Sequence, residues 1–261
     1  MIERTDFGDV TRLRMWTVRS RLAGYDVSAY LVRGVLVDTG PWHVRNDLKR
    51  FMAETRLRGA IVTHWHEDHA GNVATIASGG MPMWIAPATL ETLRRPIDMK
   101  LYRRFTWGVP PTIGGDVAPF DPAPLRVIES PGHSSDHHIV FDDNTATLFS
   151  ADLWLGVRVR IFGLHENPYH LMESLRRAAE LKPRRMFDAH RGEVANPVKA
   201  LEAKRSWLSE SVDAIQRRLD AGDPEDVILR ELLGGEERTG FVSGGEYSRL
   251  NLIRAVTRDR P

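Results

Sequence analysis

Residues 64 to 69 read His64-Trp65-His66-Glu67-Asp68-His69, directly after the apolar run Gly59-Ala60-Ile61-Val62-Thr63. His64, His66, Asp68 and His69 supply imidazole nitrogens and a carboxylate, donors that suit Zn2+ and also Fe or Mn. Their spacing argues against a helix, where residues two apart point to opposite sides. On an extended segment leaving a strand, residues two apart project the same way. His64 and His66 can then grip one ion, and Asp68 and His69, on the next turn of chain, can reach a second beside it. The run Ala70 to Ala77 has helical character, and a carboxylate at that helix start is favoured by the helix dipole. The alternative is a polar surface cluster without chemistry. The buried-strand signal feeding the cluster, and further donors downstream, argue against it.

Those further donors also sit just past predicted strands. Ser130-Pro131-Gly132-His133 follows a strand over Leu125 to Glu129, and Ser150-Ala151-Asp152 ends one that begins at Thr145. Asp188-Ala189-His190 follows one over Arg185 to Asp188. A lone histidine in such a place is more often structural than a ligand. Several together beside one strong motif reverse that expectation, because sites in layered α/β architectures are usually built at strand ends.

The elements that must position these residues are legible in outline. Val10 to Arg19 alternates like a strand, and Val27 to Val32 and Val35 to Asp38 read as a hairpin around Arg33-Gly34. Helical spacing runs from Val44 to Thr55 and from Tyr169 to Leu181. Short strands are expected over Ala60 to Thr63, Met83 to Ala86, Ile139 to Asp142 and Thr145 to Ser150, with Asp143-Asn144 as the turn between the last two. Arg94 to Phe120 is rich in Arg, Pro, Gly and aromatics and reads as one long irregular loop, a form that lids and binding loops take. Residues 196 to 261 read as a helical tail. Leu201, Leu208, Val212, Ile215 and Leu219 form its apolar stripe, and Val227 to Leu233 starts a second helix.

An apolar fraction of 42% and a charged fraction of 27% are those of an ordinary globular chain, and 261 residues can bury a full core. A net charge of +1 gives no support for nucleic acid or membrane as an obligatory partner. The tail balances its basic and acidic residues, which argues against a phosphate-gripping appendage and for packing on the core or a homodimer contact. The absence of cysteine excludes disulfides and thiolate-bound zinc. The first residues carry acids and no apolar stretch of a secretion signal, and no apolar run approaches a transmembrane length of about 18 residues. A cytoplasmic location is the expectation.

Taken together, these motifs resemble those of the metallo-β-lactamase-fold superfamily. Its signature, His-x-His-x-Asp-His, then Gly-His, then Asp, then His, stands here as His64-His66-Asp68-His69, Gly132-His133, Asp152 and His190. Val37-Asp38-Thr39-Gly40 resembles the family's Asp-Thr-Gly. Pro131 to His137 is similar to the Pro-Gly-His-x-x-x-His of glyoxalase II and lactonase-like members. The resemblance spans residues 10 to 195. It implies an α/β fold, a four-layer αβ/βα sandwich over 1–195, with 196–261 as a helical C-terminal extension packed on the core. It implies a dinuclear metal site, with His64, His66 and His133 on one ion, Asp68, His69 and His190 on the other, and Asp152 bridging. Two Zn2+ are expected, with Fe or Mn open. Asp38 either orients a ligand from behind or simply forms the turn before Gly40.

The reaction so implied is metal-dependent hydrolysis. A bridging water deprotonated near pH ~7 attacks a carbonyl or phosphorus centre. Asp68 has a second duty as catalytic residue, orienting the hydroxide and passing a proton to the leaving group. The expected substrate is a small molecule, an acyl ester, thioester or lactone. Phosphodiester or β-lactam hydrolysis on the same site stays open. So does a sulfur (persulfide) dioxygenase holding one iron by two His and one Asp. Arg158 and Arg160, in Val157-Arg158-Val159-Arg160-Ile161, form either a solvated strand face or an anion clamp. His165 lies in the same loop, and Tyr102, Arg103, Phe105 and Trp107 are candidates for an apolar lid. His43, His138 and His170 have no assigned role. His137 aligns with the second histidine of the glyoxalase-like run and is expected to give packing or outer support.

Overall fold

Neighbouring residues on one strand of this protein belong to different layers. Val35 and Val37 share an apolar cluster with Ile61, Val140, Phe149 and Phe187. Leu36, Ala60 and Val62 lie in a second cluster, and Ile139, Phe141, Leu148 and Met186 in a third. Side chains alternate faces along a strand, so the central strands of both sheets are buried on both sides and read as unbroken apolar runs.

The computed structural model describes residues 1–260. The first sheet has six strands in chain order: β1 (Ile2–Asp6), β2 (Val10–Met15), β3 (Val27–Val32), β4 (Val35–Val37), β5 (Gly59–Val62) and β6 (Met83–Ile85). β1 to β4 pair antiparallel, and β4, β5 and β6 run parallel. The second sheet contains β7 (Leu125–Glu129), β8 (His138–Asp142), β9 (Thr147–Ala151), β10 (Arg185–Asp188) and β11 (Gly192–Glu193), in the order β11-β10-β9-β8-β7. Only β9 and β10 are parallel there.

Five helices belong to the first half of the chain: α1 (Val18–Leu22), α2 (Arg45–Glu54), α3 (Val73–Ser78), α4 (Pro87–Leu93) and α5 (Leu101–Trp107). Five follow: α6 (Pro168–Glu180), α7 (Pro197–Asp220), α8 (Glu225–Leu233), α9 (Arg238–Val242) and α10 (Arg249–Arg258). α2, α3 and α4 cover the outer face of the first sheet through Leu48, Phe51, Val73, Ile76 and Leu93. α6, α7, α8 and α10 cover the second through Leu171, Leu175, Leu208, Ile228 and Ile253. Helix, sheet, sheet, helix is the four-layer αβ/βα sandwich. Between the sheets, the Tyr30, Phe149 and Phe187 rings meet at centroid distances of 5.3 to 5.7 Å. Burying each such ring contributes roughly 1.5–3 kcal/mol. The Tyr30 hydroxyl donates to the Asp188 carbonyl at 2.6 Å, which ties the first sheet to the strand end ahead of His190. No helix among the described residues is long and apolar enough to cross a membrane.

Several elements differ from the sequence expectation. The strand expected to Arg19 stops at Met15, because Thr17 caps α1: its side chain accepts from the Ser20 amide while Ser20 Oγ accepts from the Thr17 amide. β1 has no apolar alternation, since it is an edge strand with four of its five residues exposed. The irregular stretch from Arg94 to Phe120 contains α5, whose apolar residues Leu101 and Phe105 face outward and give no amphipathic signal. Residues 156 to 161, with Arg158 and Arg160, are irregular chain rather than a strand edge.

Candidate metal centre

Five loops leave the carboxyl ends of β4, β5, β7, β9 and β10 and meet at one rim of the sandwich. β5 is fully buried and delivers Thr63 and His64 directly to that rim. The His64–His69 loop closes on itself through His69 and Ala70 amides that both donate to the His66 carbonyl, at 3.0 and 2.8 Å. Asn72 then fastens it to the loop after β4. Its side-chain amide donates to the carbonyls of Thr39, Gly40 and Pro41 at 2.9–3.0 Å. Gly71 sits in this junction because a Cβ there would lie 2.4 Å from the Glu67 carbonyl. Gly132 has the same logic beside His133: at φ +140° its missing Cβ leaves room for the Leu171 backbone 2.5 Å away.

The structure brings together all seven candidate ligands. His64, His66, His133 and Asp152 form one group, and Asp68, His69 and His190 another, with donor atoms in each group within 4.8 Å of one another. His64 Nε2 and His133 Nε2 each lie 3.0 Å from His66 Nδ1. Asp152 spans both groups. Its Oδ2 is 3.2 Å from His133 Nε2, and its Oδ1 is 3.2 Å from His69 Nε2 and 3.4 Å from His190 Nε2. Asp68 Oδ2 stands 3.5 Å from His190 Nε2.

Four of the imidazoles are held from behind through their other nitrogen, the arrangement that sets tautomer and ring orientation in metal sites. His69 Nδ1 donates to Asp38 Oδ2 at 2.8 Å, and His133 Nδ1 to Glu166 Oε1 at 3.1 Å. His190 Nδ1 donates to the Asp26 carbonyl at 2.6 Å, and His64 Nδ1 meets Thr63 Oγ1 at 3.0 Å. Asp38 is itself fixed by the Thr63 amide and hydroxyl, both at 2.9 Å. His137 does not face the cluster as a donor to it. Its Nε2 accepts from the Asp152 amide at 3.1 Å, so it steadies the backbone of the shared carboxylate.

The electrostatics are those of a cation site. Burial, then the neighbouring imidazoles, keep His64 well below the ordinary histidine range, and burial, then His133 and Arg103, do the same for His66. Both are neutral, the ligating form. Burial opposes the charge on Asp152, yet His69, His190 and His133 hold its carboxyl well below the usual range. Burial likewise opposes protonation of His69 and His190, but Asp152 leads the nearby carboxylates in raising both, His190 to about 9. Protons on those rings answer the negative charge that a metal cation answers when it binds and displaces them. His69 Nε2 and Asp152 Oδ1 are buried and face each other without a hydrogen bond to any group. Orphaned polar atoms of this kind cost about 1–3 kcal/mol each, and a shared cation satisfies both. The nitrogen and oxygen donor set fits a divalent metal.

A cavity of about 510 Å³ opens above the cluster. Tyr102, Trp107, Arg158 and Arg160 line it, as expected candidates for substrate contact. His165 does not. The turn closed by the Glu166 amide on the Gly163 carbonyl leaves His165 exposed and turns Glu166 inward to His133. His43 is half-buried against the Phe105 carbonyl, His138 is buried beside Trp84, and His170 is exposed. Glu67, inside the histidine motif, is not among the ligands. It is buried and bound by Arg103, whose Nε donates to Oε1 at 2.7 Å. Arg103 also donates to Glu246, 2.7 Å away, and Tyr102 donates to the same carboxylate at 2.9 Å. Tyr247 lines the cavity, and among the described residues its hydroxyl has no hydrogen-bond partner. Glu166, Glu246, Tyr247 and the cavity-lining Lys204 carry no motif spacing. The one legible signal is an acid adjoining the loop histidine His165.

A family model described as the metallo-beta-lactamase superfamily matches residues 22–190. A curated relative, the beta-lactamase-like protein 2 homolog of Drosophila melanogaster, is 27% identical over 222 residues, covering 74% of this chain and 70% of the relative. A hydroxyacylglutathione hydrolase of Rhodopseudomonas palustris (strain BisB5) is 30% identical over 175 residues, covering 65% of this chain and 63% of the relative. A solved metallo-beta-lactamase family protein of Thermus thermophilus superposes with a TM-score of 0.68 at 19% identity, over 95% of this chain and 91% of that one.

Proposed function

The chain belongs to the metallo-beta-lactamase superfamily, and from that premise we propose that it is a hydrolase of small acyl esters, thioesters or lactones that works with two divalent metal ions. The observation that carries this reading is the split carboxylate of Asp152, one oxygen facing each group of donors. His64, His66 and His133 would hold one ion, Asp68, His69 and His190 the other, with Asp152 shared between them. Bound there, such ions supply Lewis acidity toward a carbonyl oxygen and bring a water's pKa to about 7.

The protein's own groups supply the rest. Asp68 lies at the cavity floor, where its free oxygen can accept a proton from the attacking water and return it to the leaving oxygen or sulfur. The bonds from Asp38, Glu166 and the Asp26 carbonyl keep three rings from turning away. Tyr247 offers its hydroxyl to a substrate carbonyl. Arg158, which makes no ion pair among the described residues, is the guanidinium free to meet a substrate anion; Arg160 is 3.4 Å from Glu237. A cavity of about 510 Å³ suits a small molecule.

Metal analysis joined to a panel of chromogenic esters, lactones, thioesters, phosphodiesters and a cephalosporin tests the proposal. About two zinc-like ions per chain, with acyl esters, thioesters or lactones turned over best, is the expected result. One iron per chain, with oxygen consumed on a persulfide, would replace it with the dioxygenase reading. Preference for the phosphodiester or the cephalosporin would move the proposal to that bond.

A further inference from the structure

Ten large apolar side chains are exposed among the described residues, and six of them lie on three short helices: Val18 and Leu22 on α1, Leu101 and Phe105 on α5, Phe241 and Val242 on α9. The exposure is extreme, at 77% for Leu22, 81% for Leu101 and 75% for Phe241. The three helices adjoin one another. The Arg19 guanidinium lies 5.5 Å from the centre of the Phe105 ring. Lys100 Nζ donates to the Ser243 carbonyl at 2.8 Å, and the Tyr25 hydroxyl is 2.9 Å from Thr239 Oγ1. Tyr25, Arg103, Thr106 and Thr239 line the cavity from these same segments. Their outward sides therefore form a rim beside its mouth. Contiguous exposed apolar surface of this kind marks an interaction site.

The rim is also cationic. The helices read VRSRL, LYRRFTW and RTGFV, with no acid in any of them. Arg19, Arg21, Arg104 and Arg238 are exposed, and none is within ion-pair distance of a carboxylate. The adjacent acids are engaged elsewhere: Asp26 with Arg14, Glu237 with Arg249, Glu246 with Arg103. Asp98, ahead of Lys100, and Glu236, whose carboxylate accepts from the Ser248 hydroxyl and the Arg249 amide beside α9, are the acids nearby that make no such pair. A net charge of +1 conceals this local excess. A second copy docking through the same surface would set arginines against arginines, since a twofold contact uses one patch twice.

We infer that this rim docks on an anionic lipid bilayer, with the apolar side chains among the acyl chains and the arginines at the headgroups. The cavity then opens toward the lipid. The inference depends on neither the metal nor the reaction, so its failure and theirs are separable.

Cosedimentation of the full chain with phosphatidylcholine vesicles, with and without phosphatidylglycerol, tests it. Binding is expected on the anionic vesicles, weak on phosphatidylcholine alone, and reduced by added salt. Arg19→Gln and Arg21→Gln should each lower the association constant roughly fivefold. Leu101→Ser and Phe241→Ser should weaken binding with the charge intact, while Leu232→Ser, on α8, leaves it unchanged. Leu101 and Phe241 are 81% and 75% exposed, so the melting curves of their variants should overlay the parent. Failure to bind anionic vesicles overturns the inference, as does binding that the α1, α5 and α9 variants leave untouched. A dimer in sedimentation equilibrium that Leu101→Ser dissolves overturns it in favour of a second copy.

Discussion

The floor and the wall of the cavity are built on different principles. The floor consists of seven donors on strand-end loops, four of its imidazoles pinned by a second hydrogen bond. The wall comes from α5, the irregular segment around Arg158 and Arg160, and the chain from Glu237 to Tyr247. Its contacts join residues far apart in sequence, as Arg103 joins Glu67 to Glu246. The floor's donors are anchored to buried strands, which fixes their mutual distances, whereas the wall is carried by loops and short helices, which can vary without disturbing the sheets.

The largest effect should come from the floor. Asp152→Ala is expected to lower kcat/KM about a thousandfold or more, because the proposed metal centre, which would supply several kcal/mol of charge stabilisation, loses the carboxylate that faces both donor groups. Mass spectrometry should find metal lost and circular dichroism an unchanged fold. Full metal content and full activity in that variant would break the distinction.

Next comes Arg103, a wall residue whose charge is buried. Arg103→Met strands the Glu67 and Glu246 carboxylates, a change that typically costs about 3–5 kcal/mol of stability. A urea titration should show the loss, and Glu67→Gln in the same chain should recover part of it. If Arg103→Met melts like the parent, the wall is not fastened through this arginine.

A step smaller, Asp38→Asn weakens the acceptor behind His69. Metal affinity measured against a chelator should fall roughly 10–100-fold. An unchanged affinity would mean that Asp38 merely forms the turn before Gly40. The smallest effect belongs to the open wall: Arg160→Gln removes a long, exposed pair to Glu237 and should cost under about 1 kcal/mol by thermal melting. A larger loss there would sharpen the wall into something closer to the floor.

Much of the floor is legible in the sequence. His64, His66, Asp68 and His69 lie next to each other, and alternation along β5 already requires an extended chain leading into them. The hairpin of β3 and β4 was legible too, because both strands are buried apolar runs around Arg33-Gly34. β1 and α1 were not, since their side chains are largely exposed, and α5 was not, because its exposed Leu101 and Phe105 are apolar while its buried Arg103 and Thr106 are polar. Nor was the role of Glu67, an unassigned position within the motif, whose partner Arg103 lies 36 residues on. The loop histidine His165 points to solvent while Glu166, one residue on, meets His133, because turn geometry decides which of two neighbours faces inward.

The order and type of the donors, and the apolar runs that precede them, determined on their own that nitrogen and oxygen ligands would gather at strand ends. Local spacing suffices for that, since adjacent residues on an extended chain have no freedom to separate. The resemblance already implied Asp152 between the two donor groups and offered Asp38 behind one of them; tertiary structure alone decided that Glu166 and the Asp26 carbonyl would stand behind His133 and His190, and that three cationic helices would lie beside the mouth. Those relations connect residues tens to hundreds of positions apart, and only packing of both sheets and their helices fixes such distances.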